Sequence, residues 1–460
     1  MEVTVKKEGG DFCTIQEAVE AVPYEESAVI RIGEGVYNEK VFCEKKDVTL
    51  IGAGIDKTIL KFDDYANEIM EDGQKRGTFR SYTAFFGGRR IVVRDMTIKN
   101  TAGDGRVVGQ ALAVYADADV CFFENVKMTG CQDTLFCAPL PRTARQKNGF
   151  LGPRLLTERR LTRQYYKNCE ITGDIDFIFG GADAVFDDCA ITCNDRMHVR
   201  STDAEASAGS AYVGEKSDAA ASATASAVAS ATASNAASAV TSAGTYSGNA
   251  AATGDGRAQG AASAPVLDKD QIDVKERPVN GYITAACGLK EDIGFIFRNC
   301  VIKGAPGCEE GSVFLGRPWR DEAKTVFLNC VMDSTIAPER FSGWGGITKD
   351  QPDTFYGEFG TKLLVECQDG YEADSLLRSS TSKSAEGNNQ NAEKGDGHAC
   401  ESLSGIPIAD SASDKHEEAK TAALPEADLT GKNPWVRDID AALASELSKK
   451  ADTITEVCIP

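Results

Sequence analysis

A parallel β-helix is the fold this all-β sequence predicts, and three observations carry the prediction. A strand-like unit recurs from residue 91 onward. Each copy holds Asn or Asp at one fixed position, and no long helix alternates with the copies. The units cover 91–98, 122–128, 165–171, 185–191, 296–302 and 326–332, anchored on Asp95, Asn125, Asn168, Asp188, Asn299 and Asn329. Around each anchor the pattern is apolar, variable, Asn or Asp, small apolar, variable, aliphatic. Successive anchors lie 30 (95 to 125), 43 (125 to 168), 20 (168 to 188) and 30 (299 to 329) residues apart. Strands at such intervals are the signature of a solenoid, in which each turn rests its inward side chains on the turn below. The recurring Asn or Asp then marks a corner. An open sandwich would also supply short strands, but it does not need the same corner residue in each.

The other elements follow in chain order. Thr14-Ile15-Gln16-Glu17 ahead of Ala18 to Val22 reads as a capping box and a short helix that caps the coil, stopped by Pro23. Strands are expected at 28–32, 41–43, 48–51 and 58–62, before the repeat begins. The slot after each corner holds Met96, Val126, Cys169, Cys189, Cys300 and Cys330. Cys exchanges there with Val and Met, so it is read as a small core hydrophobe. Cys169 and Cys189 sit one 20-residue rung apart (169 to 189) and could bridge if oxidised. Residues 1–201 and 278–365 are thus expected to form one discontinuous domain. Residues 202–277, rich in Ala, Ser and Thr, and 366–431, polar and acidic, lack the apolar content for a core and are expected to be disordered insertions. The tail, 432–460, should carry a helix over 438–450 that packs back on the coil.

Composition narrows the function. The 460-residue chain has a net charge of −20, which argues against nucleic acid or an anionic membrane as a partner. No run of about eighteen apolar residues suggests a membrane span. The N-terminus lacks the apolar core of a signal peptide, so a cytoplasmic protein is expected, or a secreted one if the sequence is a processed form. The fifteen cysteines show no Cys-x-x-Cys spacing, which favours free thiols over a disulfide framework or a zinc site. With only His198, His398 and His416 present and no Gly-x-Ser-x-Gly elbow, a Ser-His-Asp hydrolase is poorly supported.

Carboxylates are better supplied. Two acidic loops, Gly130-Cys131-Gln132-Asp133-Thr134-Leu135-Phe136 and Gly173-Asp174-Ile175-Asp176-Phe177-Ile178-Phe179, each follow a repeated strand that ends in Thr-Gly. Stacked on neighbouring rungs, Asp133 and Asp176 would come close together. Two such carboxylates do not ionise equally, which yields one acid and one base or nucleophile. Downstream, Arg317 could pair with Asp176 through two hydrogen bonds, and Trp319 could stack on a sugar ring. A surface salt bridge and a core Trp are the alternatives.

The residues also resemble a known family. Gly35-Val36-Tyr37-Asn38-Glu39, Gln110-Ala111-Leu112-Ala113-Val114, Gln132-Asp133-Thr134-Leu135, Asp176-Phe177-Ile178-Phe179-Gly180 and Leu315-Gly316-Arg317-Pro318-Trp319 match pectin methylesterase (pectinesterase) motifs in the family's order. The chain is similar to a bacterial, leaderless-type member. The resemblance implies a single right-handed parallel β-helix and an aspartyl esterase that removes methyl groups from methyl-esterified galacturonate in pectin or oligogalacturonides. It implies Asp176 as nucleophile, Asp133 as general acid and then base, Gln110 and Gln132 as oxyanion-hole donors, and Arg317 as the residue orienting Asp176. It further implies Trp319, Thr83, Phe136 and Phe179 as substrate-lining residues, with no metal and no cofactor. A monomer is expected. Phe136 departs from the family by replacing a common Tyr, and the segment between the acidic loops is longer than in plant members.

A pectate lyase or polygalacturonase would share the coil and the sugar, but neither explains two glutamines and an arginine in these places. A non-catalytic pectin-binding β-helix is the reading from another class. Without a leader, the expected substrates are short oligogalacturonides. The segment between the acidic loops carries seven Arg or Lys residues, Arg145, Arg159 and Arg160 among them, against Glu158 alone. It is expected either to form a basic wall of the cleft that attracts free galacturonate or to be a solvated loop.

Overall fold

The computed structural model describes residues 1–198, 278–344, 353–364, 421–423 and 436–460, and it forms the expected parallel β-helix. Each turn crosses three faces. The first runs from Glu2–Val5 and Ser27–Ile32 through Arg163–Lys167 and Asp183–Asp187 to Phe355–Phe359. The second, which carries the site, stacks Ala84–Asn100, Val114–Ala116, Leu135–Cys137, Ile175–Gly180, Gly281–Ala286 and Val313–Gly316. The third runs from Gly35–Asn38 to Lys362–Leu364. Every pairing between these strands is parallel. The expected insertions at 202–277 and 366–431 lie outside the described residues, except that Thr421–Ala423 adds an antiparallel strand to Lys362–Leu364.

The corners explain the repeat. Asp95, Asn125, Asn168, Asp188, Asn299 and Asn329 all hold positive φ, between 51° and 55°. L-residues avoid this left-handed region, and Asn and Asp tolerate it best after Gly because a short polar side chain can bond locally. The side chains also bond along the coil: Asn125 donates to Asp95 (3.0 Å) and Asn168 to Asn125 (2.6 Å). Asn168→Ala is therefore expected to cost about 2–3 kcal/mol, from about 1–2 for the left-handed backbone plus about 1 for the lost bond. Asn168→Gly should cost less. Urea unfolding checks both, and equal losses would show that φ is not the cause.

Position by position, the repeat builds the core. Two residues before each corner, Phe123, Tyr166, Phe186, Phe297 and Phe327 stack inside the coil with ring centroids 4.4–5.0 Å apart. The cysteines one residue after the corner are free and buried, as small hydrophobes should be. Cys169 and Cys189 form no bridge; their thiols donate instead to the carbonyls of Phe123 and Tyr166 one rung away (both 3.5 Å). Three residues before the corner, Val92, Phe122, Tyr165, Val185, Ile296 and Val326 form an outward apolar stripe. The C-terminal helix covers it with Ala444, Leu447, Ala451, Ile454 and Cys458.

Helix α1 spans Ile15–Ala21 with the expected capping box: Thr14 accepts from the Glu17 amide (3.2 Å) and Glu17 from the Thr14 amide (3.3 Å). Glu39 takes the Ile15 and Gln16 amides (2.9 Å each), so the first turn is satisfied from two sides. The two strands expected at 41–43 and 48–51 are one, Val41–Ile51, because Glu44 to Asp47 continue the strand around a corner instead of forming a loop. A second helix, α2, is the single turn Gly105–Val108. The C-terminal helix, α3, spans Ala441–Cys458 rather than 438–450. Asp440 caps it by accepting from the Leu443 amide (2.8 Å), and its apolar stripe continues past Lys450 through Ala451, Ile454 and Cys458.

Candidate active site

The two acidic loops sit on neighbouring rungs where the third face turns into the second. Leu135 pairs with Ile178 and Phe136 with Phe179, a constant offset that places Asp133 opposite Asp176. The Asp133 amide donates to the Ile175 carbonyl (3.0 Å). Both aspartates have positive φ, 64° and 49°, and both are buried. Strained backbone of this kind persists only where surrounding structure fixes it. At Asp176 the strand bulges: Ile175 pairs with Tyr282, but Ile178 with Thr284, so four residues face three. A bulge re-aims a side chain, here the Asp176 carboxylate. Beside it, Asp174 braces the loop by accepting from the Ile175 amide (2.6 Å) and pairing with Arg196 (3.2 Å).

Arg317 reaches Asp176 from the rung after next. Gly316 pairs with Thr284, and the Arg317 amide donates to the Thr284 carbonyl (2.9 Å). A Cβ at Gly316 would lie 1.9 Å from Thr284 Oγ1, so only glycine allows this approach. Arg317 is 4% exposed and grips Asp176 with Nε on Oδ1 (2.9 Å) and Nη2 on Oδ2 (2.8 Å). A bidentate guanidinium favours the carboxylate anion. Its flat faces lie 4.0 Å from the Tyr282 ring centre and 4.2 Å from that of Trp344. This clamp on the guanidinium plane was not legible in the sequence. Nothing local gives Tyr282 a role or marks Trp344.

Asp133 sits in the opposite environment. Burial pushes its carboxyl well above the usual range, the charge of Asp176 adds to this, and Arg317 only partly opposes it. The folded-state value is raised, so this group's favourable contribution is complete below the unfolded value of about 3.9 and is lost as pH rises through the raised one. Asp133→Asn carries no charge to desolvate. Its stability gain over the parent is therefore expected to grow as pH rises above about 4 in urea titrations. A variant that loses ground as pH rises would contradict this assignment.

Gln110 and Gln132 lie on adjacent rungs, with the Ala111 amide on the Gln132 carbonyl (3.0 Å) and the Ala66 amide on the Gln110 carbonyl (2.8 Å). Both are half-buried, and among the described residues neither side-chain amide is hydrogen-bonded. Helix α2 rests on Gln132: a Cβ at Gly105 would meet the Gln132 Cβ at 2.7 Å and Oε1 at 3.0 Å, so the glycine lets the amide lie where it does.

The aromatic expectations are met unevenly. Phe85, Tyr115, Phe136 and Phe179 form an outward column on the second face, with centroids 4.7–4.9 Å apart, and Trp319 meets Phe179 edge-on at 5.8 Å. Trp319 is half-buried and can meet a ligand. Phe179 is 3% exposed, while Phe136 is fully covered by Phe79 and its column neighbours. Thr83 is also fully buried, and its hydroxyl donates to the Lys99 carbonyl (3.1 Å). Thr83 and Phe136 therefore support the cleft from beneath rather than line it.

The basic segment lies at the site, but not as a free positive wall. Arg159 pairs with Asp292 (2.6 Å), Arg160 with Asp119 (2.8 Å), and Arg154 with Glu44 (2.8 Å) and Asp117. Phe150 packs on Phe79 (5.8 Å). These arginines tie the segment to the coil.

One face of the β-helix thus presents a buried Asp–Arg pair, a second buried Asp and two side-chain amides with no hydrogen-bond partner among the described residues. The pectinesterase family model matches residues 2–146, 158–249 and 260–363, and the chain belongs to that family. It is 30% identical over 374 residues to a probable pectinesterase/pectinesterase inhibitor 64 of Arabidopsis thaliana, covering 78% of this chain and 45% of that protein. With pectinesterase 31 of the same plant it shares 24% over 365 residues, covering 77% and 80%. The chain thus spans about half the length of the first of these relatives. Among solved structures, pectin methylesterase from carrot aligns with a TM-score of 0.51 at 22% identity, covering 81% of this chain and 85% of the other. A pectin methylesterase mutant in complex with a hexasaccharide gives 0.51 at 20%, covering 85% and 98%. These two share the fold. The Arabidopsis relatives are plant proteins, so they lend nothing to a bacterial, leaderless type.

Proposed function

We propose that this chain hydrolyses methyl esters of galacturonate units in pectin or oligogalacturonides and releases methanol. The observation that carries the reading is the unequal pair: in-register aspartates on adjacent rungs, one gripped by a buried guanidinium and the other buried without such a partner. The Asp176 carboxylate attacks the ester carbonyl. The developing oxyanion takes hydrogen bonds from the Gln110 and Gln132 amides, donors that are worth about 3–4 kcal/mol each in comparable sites. Collapse expels methanol, which takes the proton of Asp133, and leaves the galacturonyl group on Asp176 as an anhydride. Asp133, now a carboxylate, takes a proton from water as that water attacks the acyl carbon. Asp176 departs as a carboxylate, Asp133 is protonated again, and the product is free galacturonate. Arg317 holds the nucleophile in one orientation throughout. The coil is right-handed in this reading, as parallel crossovers almost always are. Methanol release from methylated oligogalacturonides and from polymeric pectin tests the activity. A folded chain that binds pectin and releases no methanol would support a binding protein instead.

A further inference from the structure

The cations of the segment between the acidic loops fall into two groups. Arg142, Arg154, Arg159 and Arg160 each have a carboxylate partner. Arg145, Lys147 and Arg163 have none among the described residues, and of these Arg145 is the one that reaches Trp319. Its Nη2 donates to the Trp319 carbonyl (2.8 Å), and its guanidinium lies 5.6 Å from the Trp344 ring centre. Arg320, carried by the coil, is in the same position. Its Nη1 donates to the same Trp319 carbonyl (2.8 Å), its Nη2 to the Thr143 carbonyl (3.1 Å), and its guanidinium sits 4.8 Å from the Trp319 ring centre.

Two guanidiniums thus converge on one carbonyl oxygen, neither of them ion-paired to a carboxylate among the described residues, beside the half-buried indole at the edge of the site. Burial lowers the Arg320 pKa and the neighbouring charge of Arg145 lowers it further, while Cys287 and the nearby Asp321 only partly oppose the shift. Juxtaposed like charges cost free energy in the empty protein, and a bound anion offsets that cost. Arginine is suited to the task, because its planar donor fork matches a carboxylate.

We propose that Arg145 and Arg320 form a carboxylate subsite beside Trp319 that takes a free uronate group of the sugar chain. The subsite belongs to the inserted segment and the coil together, since Arg145 comes from one and Arg320 from the other. Its sugar identity rests on the esterase reading, whereas the anion preference rests on the two arginines alone. Its consequence is selection: a chain that already carries a free carboxylate near the reacting ester binds better than a fully esterified one.

The test uses the full chain and two trimers, trigalacturonate and its fully methylated ester, with binding measured by calorimetry at about 20 mM and about 500 mM NaCl. Wild type is expected to bind trigalacturonate at low salt. R145Q and R320Q should each weaken that binding by about three- to tenfold, and R145K by less. Binding of the methyl ester should change far less, and high salt should close the gap. R142Q, at an exposed arginine paired with Glu291, serves as a control for the general field of the segment. The subsite is overturned if wild type does not bind trigalacturonate at low salt. It is also overturned if both trimers weaken equally, or if R142Q weakens binding as much as R145Q. Methanol release is scored separately. A chain that releases none yet loses trigalacturonate binding in R145Q keeps the subsite and loses the esterase reading.

Discussion

Asp176→Asn is expected to lower methanol release by at least about 10⁴-fold while leaving the coil folded. An amide oxygen is a poor nucleophile, and removal of a covalent nucleophile costs losses of this order or larger in hydrolases. The fold should survive because Asn, like Asp, tolerates the φ of 49° at this position. The Asn oxygen can still accept one of the two bonds from Arg317, but the buried guanidinium loses the Asp176 charge, so the stability loss should approach the ~3–5 kcal/mol of a broken buried pair. Circular dichroism and urea unfolding check the second half, and a methanol assay checks the first. Turnover within tenfold of the parent in a folded variant would remove Asp176 as nucleophile and with it the proposed mechanism.

What the sequence revealed depended on whether a residue's partner recurs locally. The corner anchors were legible because the same backbone strain recurs on rung after rung and forces the same residue types. The stacked aromatics two residues earlier and the thiols one residue later were legible for the same reason. The two aspartates and Arg317 stood out through their motifs, and register explains why they meet. Other features depend on partners far along the chain. Arg159 and Arg160 looked free because Asp292 and Asp119 sit on other turns. A charge count along the segment cannot see them. The resemblance implied Phe136 and Thr83 as substrate-lining because nothing local shows that Phe79 packs on Phe136 or that Thr83 turns its hydroxyl to the Lys99 carbonyl. The strand over Glu44 to Asp47 was hidden because its charged side chains at a corner mimic a loop.

Trp344 is the sharpest case of a distant partner, and it bears on the second large effect expected, at Arg317. Arg317→Met should destabilise the protein by about 3–5 kcal/mol, because it removes the guanidinium that grips the buried Asp176 carboxylate through two bonds. Asp176→Asn combined with Arg317→Met should recover much of that loss, since no buried charge is left unpaired. Arg317→Lys separates charge from geometry. It keeps the cation but cannot supply two parallel bonds and has no flat face to lie between Tyr282 and Trp344, so turnover should still fall by about 10²- to 10³-fold. Trp344→Leu leaves both charges and frees one face of the guanidinium. A single stack of this kind is worth about 0.5–2 kcal/mol. Turnover should then fall by about three- to thirtyfold, with KM nearly constant, if Trp344 acts by holding the Arg317 plane. A rise in KM at constant kcat would instead make Trp344 a sugar-contacting residue. An Arg317→Lys variant with near-parental turnover would mean that charge alone orients Asp176 and that the clamp has no part in catalysis.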